Sequence, residues 1–263
     1  REPGRPTRGF LGVLLLIVLI ALGIRVTYVW QVTRHDPALG DQYYYSALAT
    51  TLAEGRGFAE PDVTDRAIPS ADHPPLTSIV AAPASWIIGT GGDDAKAHRR
   101  LTAHRLVMAG VGAATVAAIA MAARRLGTTP ESSNRVGLLA AAIAAVHPGL
   151  WINDGLVMSE SVGALTIALL VWAALACLTQ PTGWRMAALG AAAGLAALAR
   201  SEALLLIPLL VVPVAFTRRS DHDRRPVYPR TRWLSAAAVG CLLILGPWVV
   251  PNMLRFNKPM LVA

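Results

Sequence analysis

The chain has 263 residues, of which 54% are hydrophobic and 15% are charged, and its formal net charge is +8. A soluble domain carries about a quarter charged residues, so this deficit, which is concentrated in blocks, indicates a protein solvated by lipid. The arginines stand between apolar blocks and form no basic face with interleaved aromatic residues, which excludes nucleic acid as a partner. Cys177 and Cys241 lie inside apolar stretches and define neither a disulfide framework nor a zinc site.

Five apolar blocks approach the ~20 consecutive residues that a helix needs to cross a hydrocarbon core. They cover residues 10–30, 101–123, 136–152, 156–178 and 233–250. A further stretch, residues 184–216, is too long for one span and carries Arg200 and Glu202 near its middle. Two short spans that meet at these residues keep both charges out of the lipid. The sequence therefore predicts an all-α integral membrane protein, a helix bundle of about seven transmembrane helices.

Arginines mark one side of the predicted bundle. They occupy the N-terminus, the segments around residues 124–135 and 185, and an arginine-rich loop at residues 218–232. Short loops rich in Lys and Arg stay in the cytoplasm, so we expect a cytoplasmic N-terminus and a multi-pass protein of the plasma membrane. A single pass over residues 184–216 would place the arginine-rich loop outside, which again favours two short spans. Most Asp and Glu residues then fall on the outer face, where we expect the active site.

The first external loop, residues 31–100, is too long for a simple connector. An interfacial helix is predicted from Asp41, a plausible N-cap residue, to Gly55. Three residues recur at helical spacing along one face of it: Tyr44, Leu48 and Leu52. The amphipathic tyrosine rings of residues 43–45 suit the depth of the lipid headgroups. Asp41 is therefore expected close to the membrane surface.

A rigid turn and a second apolar segment follow in this loop. Asp72-His73-Pro74-Pro75 is held extended, because residues that precede proline are pushed out of the α region. Residues 76–88 are apolar but too few to cross the bilayer, which predicts an interfacial or re-entrant segment. From the residues alone, Asp41 is either a helix cap or a functional carboxylate, and His73 is either a structural loop histidine or part of a site.

A series of short motifs runs through nearly the whole chain in a fixed order. In the first loop these are Gly40-Asp41, Tyr43-Tyr44, residues 53–58 (AEGRGF) and His73-Pro74-Pro75-Leu76. Further on come Arg105, His147-Pro148, Ser159-Glu160, residues 194–200 (GLAALAR), and Pro247-Trp248 with Asn252 and Phe256. Together they resemble the lipid-linked-sugar glycosyltransferases of the C superfamily, in particular the protein O-mannosyltransferase and aminoarabinose transferase group.

This resemblance implies a function and a set of site residues. In such enzymes the first external loop carries a catalytic carboxylate, and a polyprenyl-phosphate sugar is the donor. The resemblance therefore makes Asp41 the expected catalytic base. Asp72 and His73 are expected to bind substrate. Asp154 and Glu160 are candidates for binding the acceptor (a glycan, lipid or protein) or a divalent metal, Mg²⁺ or Mn²⁺. Relatives continue beyond the last span, so residues 1–263 are expected to be the N-terminal transmembrane module of a longer protein.

One carboxylate is sufficient for the expected chemistry. A polyprenyl phosphate leaves as a stable anion and, unlike the alkoxide released in glycoside hydrolysis, needs no proton from an acid. Asp41 would accept the proton of the acceptor hydroxyl as its oxygen attacks and inverts the anomeric carbon. Guanidinium groups match the oxygens of the departing phosphate in a bidentate fork. Candidates for donor binding are Arg25, Arg105, Arg200 and Glu202. The alternative for Arg25 is a side chain that snorkels outward beside Tyr28, and the alternative for Arg200 is a salt bridge with Glu202.

Two other functions are compatible with a bundle of apolar helices. A transporter would carry charged residues near the midplane and broken helices in two related halves. No such internal repeat is found in the sequence, and the intramembrane charges lie toward one face. A non-catalytic scaffold would pack through small residues, as the Ala- and Gly-rich residues 109–123 and 187–199 allow. Enzymes share that feature, so it does not separate a scaffold from an enzyme.

Overall fold

The chain is helical throughout most of the residues that the computed structural model describes, which are 4–61, 63, 68–217 and 230–258. Apart from one antiparallel bridge between Ala59 and Pro69, these residues form no extended pairing. The α-helices are α1 (Arg8–Tyr28), α2 (Asp41–Ala53), α3 (Leu76–Ile88), α4 (Asp94–Ala123), α5 (Pro130–Val146), α6 (Pro148–Trp151), α7 (Ser159–Thr179), α8 (Gly183–Ala199), α9 (Val212–Phe216) and α10 (Arg230–Phe256). Shorter helical turns lie at Val29–Thr33, Arg124–Leu126, Asn153–Gly155, Ser201–Leu205 and Ile207–Val211.

Four helical segments in the described residues are long and apolar enough to cross a membrane. They are Arg8–Thr33, Asp94–Leu126, Ser159–Thr179 and Thr231–Phe256, and a bent helix pair makes a fifth if it forms one span. The predicted all-α membrane architecture is confirmed, whereas the number of seven spans stays a prediction. The cytoplasmic N-terminus stays a prediction as well, because Arg1 and residues 218–229 of the arginine-rich loop lie outside the described residues.

The bent pair corresponds to the apolar block at residues 136–152. The sequence predicts one span there, but α5 ends at Val146 and the segment Pro148–Gly155 turns away by 60°. Pro148 causes the bend: it disfavours the α region for His147, whose φ of −68° and ψ of 117° are extended. The bend directs Asn153 and Asp154 towards the interior of the bundle, where both line a cavity.

The predicted break at Arg200 is present. Helix α8 ends at Ala199, Arg200 is extended with φ −149° and ψ 119°, and a second short apolar segment runs over Ser201–Phe216. Val211 and Ala215 belong to the same buried cluster as Met186 at the start of α8, so the chain turns back along this helix. Whether each of the two segments crosses the bilayer stays a prediction.

Helices α8 and α10 approach each other closely at two glycines. A Cβ atom built at Gly190 would lie 1.8 Å from the carbonyl oxygen of Ala237, and one built at Gly240 would lie 1.9 Å from the carbonyl oxygen of Ala187. Small residues allow such backbone contact between membrane helices, where packing stabilises association in place of the hydrophobic effect.

The substitution Gly190→Ala is therefore expected to lower the thermal stability of the protein in detergent. The added methyl group must push two backbones apart, and overpacking of this kind costs about 1–3 kcal/mol. Gly246→Ala in α10 is the matched control, because a Cβ there meets nothing within 4 Å. Melting temperatures that are equal for the two variants would contradict this account of the α8–α10 contact.

The loop at residues 31–100 is fixed against α4 by a buried histidine. His104 is fully buried, and its ring nitrogens pair with Ser46 Oγ of α2 at 2.9 Å and Ser85 Oγ of α3 at 2.8 Å. Ser78 in α3 also donates to the backbone oxygen of Tyr45 at 3.1 Å. Helices α2 and α3 are thus held together on α4, which determines where the first turn of α2 lies.

Candidate active site

Asp41 opens α2 and faces His73. The predicted capping role of Asp41 is wrong: the N-cap is Gly40, whose φ of 56° and ψ of −129° suit a residue without a side chain, and Asp41 is the first residue of the helix. The Asp41 carboxylate makes no capping bond and is 58% exposed. Its Oδ1 atom lies 3.4 Å from Nε2 of His73. The structure therefore brings together two of the predicted site residues.

His73 is held in place by aromatic rings and by the prolines that follow it. Its ring lies 4.3 Å from the ring of Tyr44 and 5.4 Å from that of Tyr45, measured between centroids. Asp72 is the next residue back, and the Tyr44 hydroxyl is paired with Ser70 Oγ at 2.7 Å. Burial raises the pKa of Tyr44, and the nearby charge of Asp72 raises it further. Asp72 thus lies beside the ring that packs on His73.

Tyr45 connects this pair with a second group of charges. Its side chain is buried, with 2% of its surface exposed. Burial is the largest effect and raises the pKa of Tyr45, but nearby Ser159 at the start of α7 lowers it. The carboxylates of Asp41 and Glu160 raise this pKa further, whereas Arg200 lowers it. All three charges therefore lie within electrostatic reach of one protonated hydroxyl.

Arg200 stands at the break after α8 and binds two carboxylates. Its Nη1 donates to Oε1 of Glu160 at 2.9 Å, and its Nη2 lies 3.5 Å from Oε1 of Glu202. The side chains of Arg200 and Glu202 are 41% and 69% exposed, so the second contact is the looser one. The predicted salt bridge between Arg200 and Glu202 is present, but Glu160 is the nearer partner.

A cavity of about 280 Å³ extends from Arg200 and Glu160 to a buried ion pair. At the pair, Arg25 Nε lies 2.7 Å from Asp154 Oδ2, and both side chains are almost fully buried. Arg25 Nη1 also donates to the backbone oxygens of Ala21 and Ala145, at 3.0 and 3.2 Å. Arg25 therefore ties α1 to the end of α5 and to the turn before α7.

A glycine in α4 leaves the space for this ion pair. A Cβ atom built at Gly112 would lie 1.8 Å from Oδ2 of Asp154 and 2.6 Å from Nε of Arg25. Charged groups inside a membrane protein are rare and usually functional, because each must be paired or lie in a polar cavity. Gly112 meets this requirement by letting the carboxylate pack against the helix backbone.

Arg105 lies apart from the other predicted donor-binding residues. It is fully buried, and its guanidinium donates to the backbone oxygens of Thr33 and Asp36, the latter at 3.0 Å. It also contacts the side chain of Gln42 at 3.5 Å. Arg105 does not line the cavity described above; it holds the chain between α1 and α2 against α4.

Asp154 and Glu160, the predicted metal ligands, are each paired with an arginine. Among the described residues there is no group of three or more His, Cys, Asp or Glu side chains that could hold a metal ion. These two carboxylates, already neutralised by guanidinium groups, are a poor fit to a cation that prefers six or more oxygen ligands. A metal at this position stays a prediction, and no chemical step below depends on it.

Sequence reasoning did not single out Tyr45, Ser161 or Gly112. Tyr45 was one of three neighbouring tyrosines and carried no separate signal, and Gly112 stands in a helix that is rich in Ala and Gly. Ser161 could have been found, because it belongs to a polar run, Ser159-Glu160-Ser161, at the start of an apolar block. Such a run at a span end indicates polar surroundings.

Fold and site together define a polytopic membrane protein whose polar cavity is built from arginines and carboxylates on several helices, next to a carboxylate–histidine pair. The chain belongs to the dolichyl-phosphate-mannose-protein mannosyltransferase family, which it matches over residues 72–250. The predicted resemblance is thereby confirmed, and the chain is a membrane glycosyltransferase of the C superfamily type. No curated protein and no solved structure matches it. The matched range includes His73, Glu160 and Arg200 but begins after Asp41.

Proposed function

We propose that this chain transfers a sugar from a polyprenyl-phosphate donor to an acceptor hydroxyl at the extracytoplasmic face of the plasma membrane, with inversion at the anomeric carbon. The observation that carries the proposal is the pairing of exposed Asp41 with His73 at 3.4 Å on one side of Tyr45, with Arg200 close enough to lower the pKa of the same tyrosine. A base and a phosphate-binding cation are the two groups that the reaction requires, and Asp41 and Arg200 are the proposed pair. Family membership supports a lipid-linked donor.

Asp41 acts as the general base. Its exposed carboxylate accepts the proton of the acceptor hydroxyl while the hydroxyl oxygen forms a bond to the anomeric carbon. The bond between that carbon and the phosphate oxygen breaks, and its electron pair leaves with the phosphate. His73 Nε2, 3.4 Å from the carboxylate, orients Asp41. Because the carboxylate is 58% exposed, it is accessible to a hydroxyl group of a protein, glycan or lipid acceptor.

Arg200 stabilises the departing phosphate. Its guanidinium is fixed on one side by Glu160 at 2.9 Å, and on the other side its ion-pair partner among the described residues is the exposed Glu202 at 3.5 Å. The donor phosphate displaces Glu202 and accepts charge-assisted hydrogen bonds in its place, and these bonds strengthen as the phosphate gains a second negative charge on leaving. Glu160 keeps the guanidinium plane in position while this exchange takes place.

Reconstituted chain supplied with labelled polyprenyl-phosphate mannose and an acceptor provides the test. We expect release of polyprenyl phosphate and a glycosylated product of inverted configuration, both dependent on acceptor. A transporter would move its solute without consuming the donor, and a scaffold would leave the donor intact. Unchanged donor under conditions in which the protein remains folded would contradict the proposal.

Arg200→Ala is expected to raise the KM for the lipid donor by about tenfold or more, since a hydrogen bond to a charged group contributes about 1.5–3 kcal/mol. Arg200→Lys should raise the KM less than Arg200→Ala, because lysine keeps the positive charge but lacks the bidentate geometry of the guanidinium group. Arg255→Ala is the matched control: Arg255 is exposed and donates to the backbone oxygen of Phe58 at 3.3 Å, away from the cavity. Equal KM values in all three variants would remove Arg200 from the donor site.

A further inference from the structure

Three residues that line the cavity each carry a buried polar atom without a hydrogen-bond partner. The three atoms are Arg25 Nη2, Glu160 Oε2 and Ser161 Oγ. Arg25 is fully buried and Ser161 is 2% exposed. The Ser161 hydroxyl lies beside the Asp154 carboxylate but does not form a hydrogen bond of good geometry with it. Folded proteins leave few buried polar groups unpaired, so the convergence of three on one cavity indicates a polar occupant.

The three atoms require partners of different kinds. Arg25 Nη2 can only donate hydrogen bonds, and Glu160 Oε2, when ionised, can only accept them. The Ser161 hydroxyl can do both. A ligand that satisfies all three must therefore present O–H donors as well as acceptor oxygens. Sugar hydroxyls supply both, whereas an ionised phosphate supplies acceptors alone.

Charge and size also favour a sugar ring in this cavity. Arg25 is paired with Asp154 at 2.7 Å and Arg200 with Glu160 at 2.9 Å, so these four charges sum to zero. A phosphate beyond Arg200, at the inner end of the cavity, would meet the Asp154 carboxylate and an arginine that is already paired with it. The volume of about 280 Å³ lies just below the ~300–1,000 Å³ that is usual for small-molecule sites, which suits one ring and excludes a prenyl chain.

We propose that the cavity lined by Arg25, Glu160 and Ser161 is the subsite for the sugar ring of the lipid-linked donor, and that these residues select the sugar through its hydroxyls. The inference rests on the proposed function, in which Arg200 binds the donor phosphate. The two oxygens of Glu160 then have separate tasks. Oε1 orients Arg200, and Oε2 accepts a hydrogen bond from a sugar hydroxyl.

Binding of two lipids to the full chain in nanodiscs separates the two sites. The probes are polyprenyl phosphate and polyprenyl-phosphate mannose, and the measured quantity is the ratio of their Kd values. Glu160→Gln is expected to reduce the preference for the mannosyl lipid by about tenfold, as loss of a hydrogen bond to a charged group predicts, with little change for the bare lipid. Glu54→Gln is the matched control, because Glu54 is also a glutamate paired with an arginine, Arg56 at 3.4 Å, but does not line the cavity, and it should leave the ratio unchanged.

Ser161→Ala tests the same subsite with a smaller change and is expected to lower the ratio several-fold. Ser133→Ala is its control, since the Ser133 hydroxyl is also buried and unpaired but lies outside the cavity. A ratio that is the same in wild type, Glu160→Gln and Ser161→Ala overturns the sugar subsite and leaves the proposed function standing. If the wild-type chain binds neither lipid, the proposed function fails and the subsite fails with it.

Discussion

Substitution of Asp41 by Asn is expected to lower the rate of sugar transfer at saturating donor by about 10²–10⁴-fold, the range that a general base contributes. The amide cannot accept the proton that the attacking hydroxyl must lose. Because Asp41 is 58% exposed and its carboxylate contacts only His73 among the described residues, folding and expression should be unaffected. Single-turnover measurements with labelled donor report this step directly, and donor binding should remain within a few-fold of wild type.

Asp94→Asn is the matched control for this experiment. Asp94 is another exposed aspartate of the loop at residues 31–100, in the first turn of α4. The variant has the same change from carboxylate to amide, but at a residue that does not contact His73. It should transfer sugar at the wild-type rate. Transfer by Asp41→Asn at a rate near that of wild type would assign the base to another carboxylate, and Glu160 would be the next to test because it also acts on Tyr45.

His73 provides an independent check on the same pair. If it only orients Asp41, His73→Ala should reduce the transfer rate less than Asp41→Asn does, and the double variant should be no slower than Asp41→Asn alone. Residues that act as a unit give such non-additive effects. If the losses in transfer rate from the two substitutions are instead additive, His73 contacts the substrate independently of Asp41.

The sequence predicts the helix breaks and helix ends that depend on a single residue type, such as a charge in an apolar segment, a proline or a glycine. The break at Arg200 is predictable, because lipid cannot accommodate Arg200 and Glu202 in mid-span. The bounds of α3 follow from Pro75 before it and Gly89 after it, whose φ of 88° ends the helix. The bend at His147 is not predicted, although the sequence contains Pro148. A single proline hardly lowers the mean hydropathy of an apolar block, so the block is predicted to be one span.

The site could be predicted from two signals, a charge that stands out against an apolar chain and the family resemblance. Arg200 shows the first signal, whereas Asp41, His73 and Glu160 depend on the second, and the structure pairs Asp41 with His73 and Glu160 with Arg200. Arg105 has the same polar signal, but its guanidinium holds backbone oxygens of the first loop. Sequence reasoning cannot separate an arginine that binds a ligand from one that binds the chain itself, since both are lone cations at a span end.

The pairing of Arg25 with Asp154 lies beyond sequence reasoning altogether. The two residues are 129 positions apart, and no periodicity joins them. Their contact depends on three separate local features: the extended conformation at His147, the turn at Asn153–Gly155 and the missing side chain at Gly112. Each of these features can be recognised in a sequence, but only the folded structure shows that they lie next to one another.

Gly112→Ala is expected to cost about 3–5 kcal/mol of stability, the range found when a buried ion pair is broken, and to abolish sugar transfer. The new Cβ would lie 1.8 Å from Asp154 Oδ2, so the carboxylate must move away from Arg25. Arg25 cannot follow, because its Nη1 is held by the backbone oxygens of Ala21 and Ala145. Unfolding by titration with a denaturing detergent measures the loss of stability.

Gly110→Ala separates this effect from a general intolerance of α4 to substitution. Gly110 lies in the same helix, and a Cβ there meets nothing within 4 Å, so the variant should be as stable as wild type or more so. In an Asp154→Ala background, the further effect of Gly112→Ala should shrink, because the oxygen with which it collides has been removed. If Gly112→Ala lowers stability equally in the wild-type and Asp154→Ala proteins, the glycine is required for a contact other than the ion pair.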